Sequence, residues 1–98
     1  MREKYIEQKL VAEVKKCNGL CLKLTSMIGI PDRMVLLPNG KIGFVEVKAP
    51  GQKPRAIQEK RISQLSSLGF PCFVLDSLED IGGILDAICT SSLSKVHD

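Results

Sequence analysis

Two apolar runs separated by Pro38-Asn39-Gly40-Lys41 constrain this chain more than any other feature. Asn and Gly tolerate the positive φ of a tight hairpin turn, so residues 34–37 are predicted to pair antiparallel with residues 42–48. A lone hairpin is at best marginally stable, so the rest of the chain must cover it. Ile6, Leu10, Val11 and Val14 recur at helical spacing and predict a helix over about 3–16, closed at Gly19. Leu20, Leu22 and Leu24 alternate with Cys21, Lys23 and Thr25, the pattern of a half-buried strand. Ile57, Arg61, Ile62, Leu65 and Leu68 predict a helix over about 55–68, ended by Gly69 in the manner of a C′ glycine. Residues 71–75 read as a buried strand. Ser77 with Asp80 three residues on resembles a helix N-cap, before a last helix carrying Leu78, Ile81, Ile84, Leu85 and Ile88. The order αβββαβα implies an α/β fold, a mixed central sheet flanked by helices. The 98 residues suffice for one modest core, placed at 1–90, with 91–98 a flexible tail.

Composition removes several function classes. No apolar run is long enough to span a membrane, and the amphipathic N-terminus is unlike a secretory signal. The one histidine, His97, lies in the tail, which argues against His-dependent triads and zinc sites. Trp is absent and Phe plus Tyr number four, too few for a base-stacking platform. Cys17, Cys21, Cys72 and Cys89 form no CxxC pair and read as reduced, buried thiols of a cytosolic protein. Cys17 and Cys21 supply at most half of a metal site. Charge is distributed unevenly. Residues 1–30 carry +3, residues 31–61 carry +4 and residues 62–98 carry −4. That asymmetry suits a surface that meets a polyanion, and equally an ordinary solvated surface.

The residues with chemical potential cluster around the hairpin. Glu46 and Lys48 are two apart on one strand, so they share a face, roughly 7 Å apart at Cα. Charges in so apolar a strand require partners. The hairpin folds the start of its first strand beside the end of its second, which brings Asp32 toward both. Two carboxylates suit Mg²⁺ or Mn²⁺, hard ions that prefer oxygen. Such an ion acidifies water and offsets phosphate charge, while a lysine orients the water or stabilises the developing negative charge. Taken alone, the three residues equally describe a surface strand with a cross-strand ion pair.

Their surroundings add a resemblance. Gly29-Ile30-Pro31-Asp32-Arg33, the strand end Glu46-Val47-Lys48, the loop Ala49-Pro50-Gly51 and the helix bearing Gln58 resemble the VRR-NUC (virus-type replication-repair nuclease) family of the PD-(D/E)xK superfamily. The resemblance runs from about Glu7 to Leu75. It implies a restriction-endonuclease-like αβββαβ core, here with an extra C-terminal helix. It also implies metal ligation by Asp32, Glu46 and the Val47 carbonyl, with Lys48 as the catalytic lysine and Gln58 bonding to the site. Glu7 matches the first-helix acid that holds a second metal or its water, with Glu13 as rival. Arg33, Lys53, Arg55 and Lys60 would neutralise DNA phosphates without reading bases. Arg33 would equally pair with an acid, and Arg61 lies on the packing stripe as well as beside the site.

The resemblance therefore implies a Mg²⁺- or Mn²⁺-dependent endonuclease acting on DNA. Stand-alone relatives look like homodimers that cut branched DNA such as four-way junctions, in phage or prophage replication and repair within a bacterial cytoplasm. The rival readings are a non-catalytic nucleic-acid-binding module, an interaction domain in which the trio is structural, and activity on RNA.

Overall fold

The computed structural model describes residues 1–91. The expected tail therefore lies, from residue 92 and including His97, outside the described residues. The elements are α1 (Glu3–Lys16), β1 (Leu20–Lys23), β2 (Arg33–Leu37), β3 (Lys41–Val47), α2 (Ala56–Ser67), β4 (Cys72–Leu75) and α3 (Ile81–Cys89), with one 3₁₀ turn (Leu78–Asp80) before α3. The strands lie in sequence order, β1-β2-β3-β4. β2 is antiparallel to both of its neighbours, β1 and β3, and β4 runs parallel to β3 after the α2 crossover. This is the mixed α/β sheet that the hairpin and the helical periodicities predict. Asn39 and Gly40 both take positive φ, 71° and 70°, as the turn requires.

The core lies on one face. Ile6, Leu10 and Val14 of α1 and Ile81, Ile84, Leu85 and Ile88 of α3 pack on Val35, Leu37, Val45, Val47 and Leu75. The 3.6-residue period sets the helical contributors and the two-residue period the strand contributors. Gly43 sits beneath α3, where a Cβ would lie 2.5 Å from the Ile88 Cδ1. The opposite face is thinner. Phe44 is buried there, edge-on to Phe70 with ring centroids 5.7 Å apart. α2 covers part of this face, and its one buried side chain is polar, Gln58.

β1 is half-buried as read, with its leucines outward: Leu20 and Leu22 are 62% and 41% exposed, whereas Cys21 packs on the core. The face that carries these leucines is not the one beneath α1 and α3. Three expectations are corrected. Leu68 is 72% exposed, because α2 ends at Ser67. The cysteines are free, but none is buried. Cys17 and Cys89 are exposed at helix ends, and Cys21 and Cys72 are half-buried in the strands flanking the sheet. Finally, Ser77 does stand at the N-cap, that of the 3₁₀ turn, but its Oγ donates to the Asp80 carboxylate (2.9 Å) and caps no backbone amide.

Candidate active site

Three stretches of backbone meet at one end of the sheet. The β2–β3 register pairs Arg33 with Val45, so Asp32 enters the sheet beside Glu46 and Val47. The Asp32 Oδ2 accepts the Val47 N–H at 2.9 Å. Val45 and Val47 face the apolar core, so Glu46, between them, faces α2. The Lys48 Nζ lies 3.2 Å from the Glu46 Oε2. The Gln58 Nε2 donates to the same oxygen at 2.7 Å, and the Gln58 Oε1 accepts the Arg55 N–H at 2.8 Å. Both ends of the Gln58 carboxamide are thus occupied, and the amide ties the first turn of α2 to Glu46. Asp32, Glu46, Lys48 and Gln58, named from the sequence, are brought together.

Glu46 is the unusual member. It is 1% exposed, yet its Oε1 is buried without a hydrogen-bond partner. Burial, and next the Asp32 charge, push its carboxyl above the ordinary range, against the opposing pull of Lys48. An orphaned carboxylate oxygen beside a second carboxylate is a poor arrangement for stability. It is a suitable one for a cation, because a divalent ion would accept the unused oxygen lone pairs and relieve the repulsion. The chemistry of Asp32 and Glu46, two neighbouring carboxylates of which one has an unpartnered oxygen, therefore fits a hard divalent ion.

A curated protein of Acyrthosiphon pisum secondary endosymbiont phage 1, named "Putative nuclease p44", is 49% identical over 90 residues, covering 90% of this chain and 96% of its own. A solved structure titled as a VRR-NUC domain superposes with a TM-score of 0.81 at 27% identity, over 88% of this chain and 97% of its own. The chain belongs to the VRR-NUC family. No family model matches the sequence. The VRR-NUC fold is restriction-endonuclease-like, and folds of the PD-(D/E)xK type generally work with divalent metal ions.

Within this VRR-NUC domain the remaining candidates divide. Lys53, Arg55 and Lys60 are exposed on the loop and helix beside the site. Arg33 is turned inward. Its Nε donates to the Glu7 Oε2 at 2.8 Å and its Nη1 to the Cys21 carbonyl at 3.2 Å. Lys23 reaches the same Glu7 oxygen at 3.2 Å. Burial raises the Glu7 carboxyl, but hydrogen bonds and charge from Arg33 and Lys23 outweigh it and hold the group below the ordinary range. Glu7 is thus joined to Arg33 and Lys23 on the α1 side, not to Glu46. Among the described residues no three His, Cys, Asp or Glu side chains gather closely enough to hold a metal ion, so the acidic pair stands without a third protein carboxylate. Glu13, the rival, pairs with Lys16 at 3.1 Å along its own helix. Arg61 resolves as a brace, donating to the Ile28 carbonyl (3.1 Å) and to the Gln64 Oε1 (3.0 Å).

Asp76 was not foreseen. It follows β4, and its Oδ2 accepts the Gly51 N–H at 3.3 Å, fastening the loop after Lys48. The signal is the parallel register, which sets Leu75 beside Val47 and so Asp76 near the loop. No local pattern in the sequence reveals that offset. Among the described residues, no helix is long and apolar enough to cross a membrane.

Proposed function

We propose that this chain is a Mg²⁺- or Mn²⁺-dependent endonuclease that hydrolyses DNA phosphodiester bonds. The observation that carries the reading is the buried Glu46 carboxylate, with one oxygen unpartnered and the other held by Lys48 and Gln58. Asp32, Glu46 and the Val47 carbonyl would hold the ion, which would supply positive charge to offset the phosphate and would acidify water. Gln58 fixes the Glu46 rotamer from α2, and the Val47 amide fixes Asp32. The Lys48 Nζ, on a side chain 15% exposed, lies 3.2 Å from the Glu46 Oε2. It would orient the attacking water and stabilise the charge that builds on the phosphoryl oxygens. Water attacks phosphorus in line. The P–O3′ bond breaks, and the departing oxygen takes up a proton, leaving a 5′-phosphate and a 3′-hydroxyl. Lys53, Arg55 and Lys60 would neutralise backbone phosphates without reading sequence.

So small a domain holds one site, and a two-fold homodimer would present two sites to symmetric strands. Such a pair would suit branched DNA, four-way junctions included, as the preferred substrate. The phage relative supports a role in phage or prophage replication or repair in the cytoplasm of a bacterial host.

The test is cleavage of labelled four-way junction, flap, linear duplex, single-stranded DNA and RNA in Mg²⁺, Mn²⁺ or EDTA. The expected result is cutting of junctions that needs metal and falls at least ~10²-fold in Asp32→Ala and in Lys48→Ala. Salt-dependent binding without cutting by the wild type would instead favour a non-catalytic binding module. Full activity in Lys48→Ala would remove that residue from the mechanism.

A further inference from the structure

We propose that Glu7 and Arg33 form a positioning clamp behind the metal site, acting neither as metal ligand nor as phosphate contact. The proposal rests on the reading of Asp32 and Glu46 as metal ligands. Its physical basis is the parity of β2. Asp32 and Arg33 are consecutive, so their side chains leave the strand on opposite sides. Asp32 meets Val47 at the site. Arg33 passes through to the α1 face, where its side chain is 17% exposed.

One guanidinium there joins three elements. The Nε binds Glu7 of α1, the Nη1 binds the Cys21 carbonyl of β1, and the backbone belongs to the first residue of β2. The Glu7 Oε2 takes a second donor from Lys23, which is itself the β1 partner of Arg33 in the ladder. Moving Glu7 to a metal would break both donor contacts and leave a half-buried guanidinium without its anion, a costly state. Moving Arg33 to a phosphate would leave a half-buried carboxylate with Lys23 alone. The pair is more useful where it stands. A lysine could match the charge of Arg33, but not the two-pronged reach to Glu7 and Cys21. With both prongs engaged, the start of β2 is held against α1 and β1. Asp32, one residue away, then keeps its oxygen on Val47 and its charge beside Glu46.

The test is a Mn²⁺ titration by calorimetry on wild type, Glu7→Ala, Glu7→Gln, Arg33→Ala, Arg33→Lys, the double alanine variant and the exchanged pair Glu7→Arg/Arg33→Glu. Melting temperature and DNA affinity at several salt concentrations are followed alongside. A clamp predicts that Glu7→Ala and Arg33→Ala weaken Mn²⁺ binding in the same direction, by about tenfold. The double variant should be no worse than either single, and Glu7→Gln and the exchanged pair should recover part of the loss. If Glu7 were a ligand, Glu7→Gln would weaken Mn²⁺ binding while Arg33→Ala, freeing the carboxylate, would strengthen it. If Arg33 were a phosphate contact, Arg33→Ala would weaken DNA binding and flatten its salt dependence while Glu7→Ala would not. A lower melting temperature with unchanged Mn²⁺ affinity would reduce the pair to a purely structural bridge. Each of these three results overturns the clamp. None requires cleavage, so a wild type that binds Mn²⁺ but cuts nothing would refute the proposed activity and leave the clamp to be judged on its own.

Discussion

The face of the sheet under α1 and α3 is a continuous apolar cluster, whereas the face under α2 buries Phe44 next to a carboxylate and a carboxamide. The first is what close packing favours. The second carries an unpartnered carboxylate oxygen, while the Val47 amide holds Asp32, and Lys48 and Gln58 hold the other Glu46 oxygen. Glu46 and Val47 are adjacent residues serving opposite ends, one in the site and one in the core. The division teaches that stability and chemistry are separated by strand parity more than by distance. A strand needs one packed side to place a costly group on the other.

The largest effect should come from the packed face. Leu10→Ala removes a fully buried side chain from the α1 contact and should cost about 2–5 kcal/mol. For a domain of this size that lowers the melting temperature by about 10 °C or more. Calorimetry checks it, and a loss near zero would mean that the cluster is less tightly packed than described.

A substitution in the site should act with the opposite sign. Glu46→Gln keeps the side-chain shape and removes the buried charge, so the metal-free protein should melt a few degrees higher while losing cleavage. The pH dependence follows from the direction of the Glu46 shift. A carboxyl raised in the fold contributes stability when protonated, below its unfolded value of 4.5, and loses that contribution as pH rises through the folded value. The gain from Glu46→Gln should therefore be largest at neutral pH and vanish in acid. Melting curves from pH 4 to pH 8 test this, and a destabilised variant at neutral pH would show that the Lys48 and Gln58 contacts outweigh the burial of the charge.

The smallest effect belongs to the bare part of the α2 face. Leu22→Thr, on a strand edge and 41% exposed, should change stability by no more than about 0.5 kcal/mol. A loss well beyond that, growing with protein concentration, would show that another copy covers this face in solution.

Legibility in the sequence followed the same division. The α1 and α3 stripes were plain because a helix advertises its buried face through a 3.6-residue period. The hairpin was plain because Asn39 and Gly40 demand it, and from it came the approach of Asp32 to Glu46 and Lys48. Parity was harder. The leucines of β1 alternate equally well whichever face is covered, and the pattern says only that the two faces differ. Cys21 faces the core because α1 lies on its side, which is tertiary information. For Arg33 the signal lies in the hairpin. A hairpin register that places it opposite Val45 also places it on the core side of β2, away from Glu46. The contact between Asp76 and Gly51 depends on how far β4 slides along β3, which no local pattern encodes.

The central claim is that Asp32 and Glu46 cage a divalent ion on the α2 face. Anomalous diffraction from crystals grown with Mn²⁺ tests it most directly. A single strong peak should touch the Glu46 Oε1, an Asp32 carboxylate oxygen and the Val47 carbonyl, and should be absent in Glu46→Gln. A peak at Glu7, or none near Glu46, would contradict it.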